Sequence, residues 1–500
     1  MREFSLSISQ DRSPVYLRIA EALRQAIQSG RLKPGEALPS SRRLGVMVGV
    51  HRHTVTAAAD ELVAEGWLEG GARRAYRVCG VLPPEFFNSK AGQRGASPSS
   101  RVKWRLVRQA PRFRSPPVRD TRYRYSFAAG VPELRLFPYD EFRACVSQSL
   151  RNSAMLRGGY GEPDGHAPFL ERLSLYLRRV RALTERRIIV THGSQEALFL
   201  VAQLLLGGRD AVAVEELGYP PAWGAFRTAG ARLIPIRLDE NGIVPEDLEA
   251  AINRHRVRLI YLTPHHQYPT TVTLTAARRL CVYELASRYR IPIIEEDCDH
   301  EFHFRCQPIA PLASSDPCEL VIYCSTLSKI VFPSIRLGFI AVPEAMYEPL
   351  VNMRVMTTLQ SSILLQDALT RWMDNGGFER HLRRMRRLYQ ERRDALTQAL
   401  DAGRSDGLPL RWNVPDGGMA LWLDCGVDSD LVAGEAAARK VFVPSESLYR
   451  VMGPRPGTHL RLGYASQSVE AIQRGTTLVL QAIAAAARSA RSARVRKRPH

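Results

Sequence analysis

The stretch Tyr323-Cys324-Ser325-Thr326-Leu327-Ser328-Lys329-Ile330-Val331-Phe332-Pro333-Ser334-Ile335-Arg336-Leu337-Gly338 lies between two apolar runs. Leu320 to Tyr323 reads as a short strand. Three hydroxyls and Lys329 follow, and Arg336 comes before a second run, Phe339-Ile340-Ala341-Val342. A lysine among hydroxyls at a strand end suits a carbonyl cofactor. The amine forms a Schiff base, the hydroxyls donate to a phosphate, and the arginine holds the phosphate charge. A solvated surface lysine fits the same letters, so the flanking segments have to decide.

Six short runs rich in β-branched and other apolar residues, counting the second flanking run, lie outward from this stretch. They are Ile188-Ile189-Val190, Ala211-Val212-Ala213-Val214, Leu233-Ile234-Pro235-Ile236, Leu259-Ile260-Tyr261-Leu262, Ile291-Pro292-Ile293-Ile294 and Phe339 to Val342. Helical segments separate several of them. This alternation predicts an α/β fold with a largely parallel sheet, whose ligand sits outside the strand C-termini.

Candidate site residues fall at those ends. Thr191-His192-Gly193-Ser194-Gln195 follows a strand and opens a helix, where free amides and a hydroxyl can hold a phosphate. Tyr219 ends another connection and can stack on a ring. Glu296-Asp297 follows Ile293-Ile294 and offers a carboxylate for a pyridinium nitrogen. Each piece alone also reads as a helix cap, a packed tyrosine or a surface acid. All of them in this chain order, ahead of Lys329 and Arg336, form one site.

Residues 14–80 read as a separate unit. Val15, Ile19, Leu23 and Ile27 give one helical stripe that Gly30 stops. Ser40 caps a second short helix carrying Leu44, Val46 and Met47. A third helix, from about Arg52 to Glu65, turns Val55, Ala59, Leu62 and Val63 inward. Trp67-Leu68 and Tyr76-Arg77-Val78 then form a hairpin. This order predicts a winged helix-turn-helix that binds double-stranded DNA. His51, Arg52, His53 and Thr54 start the helix that enters the major groove, Arg42 and Arg43 face phosphate, and Arg73 and Arg74 lie in the wing.

Composition agrees with two globular units. The 500 residues exceed the roughly 250–300 at which single cores stop growing. Hydrophobic content is 45%, charged content 24%, and no apolar run reaches the roughly 20 residues of a membrane helix. The N-terminus opens no signal peptide, so a cytoplasmic, nucleoid-associated protein is expected. The net charge of +20 and pI of about 10.0 favour a polyanionic partner. Eight scattered cysteines read as reduced thiols. Residues 81–125, rich in Pro, Ser, Gly and Arg, read as a flexible basic linker, 126–487 as the large domain, and 488–500 as a frayed basic tail. His265-His266 and His300/His303 have no familiar zinc spacing around them, so ordinary histidines and no metal are expected.

The N-terminal unit resembles the GntR-type DNA-binding domain. The resemblance rests on Pro14-Val15-Tyr16, Gly30-x-Leu32-x-Pro34-Gly35, Leu38-Pro39-Ser40-x-Arg42-x-Leu44, Gly49-Val50-x-Arg52-x-Thr54-Val55 and Glu65-Gly66. It departs at His51, where a capping Ser is usual, and at Ala75-Tyr76, where Gly-Thr is common. Tyr160-Gly161-Glu162-Pro163-x-Gly165, Gly193-Ser194-Gln195, Gly218-Tyr219-Pro220, Thr263-Pro264-x-His266-Gln267-x-Pro269-Thr270, Glu295 to Phe302, Thr326-Leu327-Ser328-Lys329, Arg336-Leu337-Gly338 and Leu460-Arg461-Leu462-Gly463-Tyr464 resemble a fold-type I aminotransferase. The two together resemble MocR-type transcriptional regulators of the GntR family.

The resemblance implies a winged helix-turn-helix fused to a large PLP-dependent transferase-like domain. Lys329 would bind pyridoxal 5'-phosphate. Gly193, Ser194, Gln195, Thr326, Ser328 and Arg336 would serve its phosphate, Tyr219 would stack on the ring, and Glu296 or Asp297 would meet the ring nitrogen. Arg461 would hold an effector carboxylate. Glu296 stands where Asp is usual, Cys298 where a tyrosine binds the ring oxygen, and Thr271 and Ser334 where glycines are usual.

The implied function is a homodimeric, domain-swapped DNA-binding regulator that senses an amine, an amino acid or the cofactor itself, with no catalytic residue assigned. The alternatives are a working aminotransferase with a DNA-binding appendage, and a regulator that has lost the cofactor.

Overall fold

The computed structural model describes residues 6, 8–9, 11, 13–71, 74–83, 122–128, 130–151, 159–304, 309–453 and 456–496, with side chains as far as 489. The chain divides into two compact units, Met1–Val107 and Arg108–His500. The division falls within the linker expected at 81–125, most of which lies outside the described residues, as does Arg73.

The N-terminal unit has helices Val15–Gln28, Ser41–Val48 and Arg52–Ala64, then the antiparallel strands Leu68–Gly71 and Arg74–Val78. Ile19, Leu23, Ile27, Leu44, Val55, Ala59, Leu62, Trp67 and Val78 form its core. The Ser40 hydroxyl caps the second helix by accepting from the Arg43 amide at 3.3 Å. Gly49 ends that helix with φ 72°, and a Cβ on Gly45 would meet the Val50 carbonyl at 2.8 Å. Both residues are therefore needed for the tight turn into the third helix. Val46 corrects the apolar stripe expected on the second helix: it is 84% exposed, and Met47 is also exposed. A helix of eight residues buries only the side that faces its neighbours, here Leu44 and Gly45.

The large unit is built on a seven-stranded sheet. Its spatial order is Arg187–Thr191, Gly338–Val342, Val321–Thr326, Ile293–Asp297, Val257–Leu262, Ala211–Glu215 and Arg232–Ile236. Gly338–Val342 runs antiparallel to both neighbours, and every other pairing is parallel. Strand runs buried on both faces explain the near-continuous apolar stretches. One apolar core fills one side of the sheet, and a second, under the helices Ser194–Leu205 and Pro220–Thr228, fills the other. A smaller antiparallel sheet, Arg411–Trp412, Ala420–Asp424 and His459–Gly463, carries Arg461.

Two strands end later than the apolar runs suggest. Ile293–Asp297 starts past Ile291 and takes in Glu295, Glu296 and Asp297, which pair with Tyr323, Cys324 and Ser325 of Val321–Thr326. The acids and hydroxyls expected to follow these strands are thus part of the ladder. Buried hydrogen-bond partners for their side chains make this tolerable. The last helix also passes the expected boundary at 487. Val469–Arg496 stays helical through most of the presumed tail, as its Ala- and Arg-rich sequence favours.

Candidate functional site

A cavity of about 520 Å³ opens at the C-terminal ends of the parallel strands. It brings together Ser194, Gln195, Tyr219, Glu296, Asp297, Thr326, Ser328, Lys329, Arg336 and Arg461. Gly193 stands beside it as the N-cap of the helix Ser194–Leu205, with φ 82°. A Cβ at Gly193 would meet the Arg336 guanidinium at 3.2 Å, and a Cβ at Gly338 would meet the Gly193 Cα at 2.7 Å. Glycine at both positions lets the antiparallel strand and the arginine close on the helix start.

Lys329 follows the strand through a turn that Thr326 organises. The Thr326 hydroxyl donates to Ser328 Oγ at 3.0 Å and accepts from the Ser328 amide at 3.2 Å. The half-buried Lys329 Nζ donates to the Gly130 carbonyl at 2.7 Å. Burial lowers its pKa, and the Arg461 guanidinium adds to that. An amine held this way gives up its proton more readily than a surface lysine, which a nucleophilic amine requires. Arg336 donates to the His192 carbonyl at the opening of the same helix.

The side chains of Glu296 and Asp297 divide between the two sides of the sheet. Glu296 accepts from the Tyr261 hydroxyl and, at 3.3 Å, from the Cys298 thiol. Burial, with the Glu296 carboxylate adding to it, raises the Tyr219 hydroxyl. Tyr219 packs against the same apolar cluster as Tyr261, the partner of Glu296. Asp297 accepts instead from Tyr323 at 2.8 Å and pairs with His300 Nδ1 at 2.9 Å. Burial would raise Asp297, but His300, His265 and Arg181 together hold it well below the usual carboxylate range.

Part of the lining is aromatic. The Tyr219, Tyr268 and Tyr449 rings meet edge to face at 5.5 and 5.4 Å, and the Arg461 guanidinium lies 4.0 Å over Tyr268. Arg461 is buried, and its Nε and Nη1 have no hydrogen-bond partner. A buried guanidinium with unpartnered donor nitrogens facing a cavity can donate to a carboxylate. Gln195 Nε2 donates to the Pro221 carbonyl at 3.0 Å, which leaves its buried Oε1 free.

Sequence reasoning missed Tyr268, Tyr449, Asp299 and Gly130 as wall residues. It also read His266 only as a loop histidine. His266 lines the cavity and bonds Asp299 at 2.8 Å, and despite burial the Asp299 carboxylate raises its pKa. The neighbouring Thr263-Pro264-x-His266 wording carried that signal. Nothing local marks Tyr449.

In the N-terminal unit Arg42 and Arg43 are exposed at the start of the second helix, His51, Arg52 and His53 are exposed at the start of the third, and Thr54 is half-buried. His51 takes the capping position, with Nδ1 3.5 Å from the His53 amide, at the limit of a hydrogen bond. Arg74 is exposed at the start of its strand. The Tyr76 hydroxyl donates to Asp60 at 2.6 Å, tying the hairpin to the third helix.

Residues 136–477 match the class I and II aminotransferase family, and residues 15–78 match the gntR family of bacterial regulatory proteins. The probable rhizopine catabolism regulatory protein MocR of Rhizobium meliloti is 33% identical over 412 residues, covering 82% of this chain and 81% of that protein. The chain is a MocR-type regulator of the GntR family. The HTH-type transcriptional regulator TauR of Rhodobacter capsulatus is 28% identical, covering 93% of this MocR-type chain and 96% of its own. The large unit is similar to Pyrococcus horikoshii kynurenine aminotransferase, solved with PMP. The TM-score is 0.67 at 28% identity, covering 72% of this chain and 90% of that one. No helix among the described residues is long and apolar enough to cross a membrane.

The departures of this MocR-type chain from the family pattern take physical form in the site. Cys298 puts a thiol, raised well above its usual pKa by burial and Glu296, where the family pattern expects a phenol. Thr271 keeps the left-handed backbone, φ 62°, that suits the expected glycine. Ser334 sits exposed in the short 3-10 turn Pro333–Ile335, where a side chain has room.

Proposed function

We propose that this protein is a DNA-binding transcriptional regulator whose aminotransferase-like unit binds pyridoxal 5'-phosphate at Lys329 and responds to an amine, an amino acid or the cofactor itself. The observation that carries the reading is the convergence on one cavity of the Lys329 amine, Glu296, Tyr219 and the free Arg461 donors. Class I and II aminotransferases use this cofactor, and the donor set fits it. Thr326, Ser328, Arg336 and the first amides of the helix Ser194–Leu205 offer donors for a phosphate dianion, with Gly193 leaving the approach open. Glu296 offers the carboxylate for a ring nitrogen and Tyr219 a face for the ring. When bound, pyridoxal phosphate supplies an electrophilic aldehyde and an electron-withdrawing ring.

Lys329 holds the reactive amine and keeps its proton loosely bound. Arg461, above Tyr268, takes the carboxylate of an incoming amino acid. We read the unit as regulatory rather than as a turnover enzyme because Cys298 offers only a weak thiol donor on the side where a tyrosine is expected. An effector can act only by binding one arrangement of the protein better than another.

An exposed apolar patch supports a homodimer. Tyr160 is 83% exposed, Met356 81% and Leu359 45%. The Gly161 amide bonds Gln360, which brings Tyr160 next to the Met356–Leu359 segment. Apolar surface clustered this way favours a partner surface. The winged helix of each copy would then read one of two half-sites.

Footprinting in low salt on the DNA upstream of the chain's own gene, with and without pyridoxal phosphate, tests the reading. Two protected half-sites whose affinity changes with the cofactor are expected. No protection in either condition would contradict a regulator acting there.

A further inference from the structure

The sheet places two histidines and an acid together behind the cavity. Val257–Leu262 and Ile293–Asp297 are parallel neighbours, so the segments leaving their C-terminal ends meet. His265 leaves the first strand, Asp297 ends the second, and His300 follows three residues later. One potential ligand atom from each of the three lies within 4.8 Å of the others. All three residues are buried: His265 is 5% exposed, Asp297 3% and His300 1%.

Their hydrogen bonding is incomplete. Neither ring nitrogen of His265 has a partner, and His300 Nε2 and Asp297 Oδ1 have none. The His265 and His300 rings lie face to face at 4.5 Å. A neutral imidazole always carries one lone pair, and a buried lone pair without a partner costs roughly 1–3 kcal/mol. Arg181, the nearby buried guanidinium, donates to Glu301, Tyr323 and Ser325 and makes no hydrogen bond to Asp297. The buried Asp297 carboxylate therefore has no guanidinium or ammonium bonded to it among the described residues.

We propose that His265, Asp297 and His300 form a site for one first-row divalent transition-metal ion of the zinc class. Two imidazoles and one carboxylate are a borderline-soft ligand set that leaves a fourth position for a water or another donor. The ion accepts the orphaned imidazole lone pairs and takes the unpartnered Asp297 Oδ1. Asp297 also lines the cavity, which gives the ion a way in. Because Asp297 is next to Glu296, occupancy would steady the strand end that carries the candidate cofactor acid. The site rests on these three residues alone and stands whether or not pyridoxal phosphate binds.

The test uses the full-length, untagged protein. It is dialysed against zinc chloride buffered by a weak chelator, and bound zinc is counted by atomic emission. About one zinc per chain is expected, with at least a tenfold loss of affinity in His265→Gln and in His300→Gln. Far-UV circular dichroism should match the parent in both variants. Zinc-edge X-ray absorption on the parent needs no variant and should report imidazole nitrogen and carboxylate oxygen without sulfur. A parent that retains no zinc would overturn the proposal. Equal zinc in parent and variants, or thiolate sulfur in the shell, would overturn it too.

Discussion

Glu296 and Asp297 are consecutive in one strand, yet their carboxylates belong to different networks. Glu296 is held by Tyr261 and Cys298 beside Tyr219, and Asp297 by Tyr323 and His300 on the other side. Side chains alternate across a strand, so only one of the two can face the Tyr219 side. Glu296→Gln should weaken pyridoxal phosphate binding about 10–100-fold, the loss of one charge-assisted contact of roughly 1.5–3 kcal/mol. Asp297→Ala should instead destabilise the fold by about 2–4 kcal/mol, because it strands the Tyr323 hydroxyl and the His300 ring. Cofactor titration and urea melts of both variants separate the two roles. The opposite pattern would exchange the assignments.

Glu215 sets a pH dependence. It is buried, and burial pushes its carboxyl up to about 7 although Gln267 and Thr263 oppose the shift. The folded state therefore holds a proton that the unfolded chain releases near its ordinary value of about 4.5. The stability cost is fully present above pH 7 and gone below about 4.5. Glu215→Gln keeps an oxygen for the Thr263 amide and hydroxyl and removes the charge. It should stabilise the protein by about 1–3 kcal/mol at pH 8 and by little at pH 4.5. Denaturation at the two pH values checks this, and an equal effect at both would refute it.

Thr271 holds φ 62°, a left-handed backbone that a β-branched residue adopts at a cost of about 1–2 kcal/mol. Glycine relieves that strain but adds roughly 0.5–1 kcal/mol of unfolded-state entropy. Thr271→Gly should therefore stabilise the fold by about 0.5–1 kcal/mol. A loss of stability in chemical denaturation would mean that the Thr271 side chain makes a contact worth more than the strain.

The exposed arginines of the winged helix should divide by role. Arg42 lies at the start of the second helix and Arg52 at the start of the third. Arg42→Ala should weaken all DNA sequences alike and reduce the salt slope of binding by about one. Arg52→Ala should cost about 1–3 kcal/mol on the preferred site and relax its specificity. Fluorescence anisotropy against salt, on specific and random duplexes, reads both outcomes.

Much of this was legible from the chain. All seven strands of the large sheet coincide with the apolar runs to within a few residues, because strands buried on both faces keep no polar alternation. The winged helix followed from its caps and turn glycines. The strand ends were not legible, since Glu295, Glu296, Asp297, Ser325 and Thr326 are polar letters in a buried ladder. The separation of Glu296 from Asp297 needed their hydrogen bonds to Tyr261 and Tyr323. The grouping of His265, Asp297 and His300 depends on two adjacent strands ending together, which no spacing along the chain reveals. Val46 read as core by its chemistry but faces out, because a short helix has little face to bury.

The central claim is that Lys329 carries the cofactor. The purified protein with added pyridoxal phosphate should gain a visible absorbance band that borohydride reduces, leaving the cofactor covalently fixed to the chain. Lys329→Ala should gain no trappable band. A parent without such a band would leave a DNA-binding regulator with a retired enzyme core. A band trapped equally in Lys329→Ala would move the attachment to another residue.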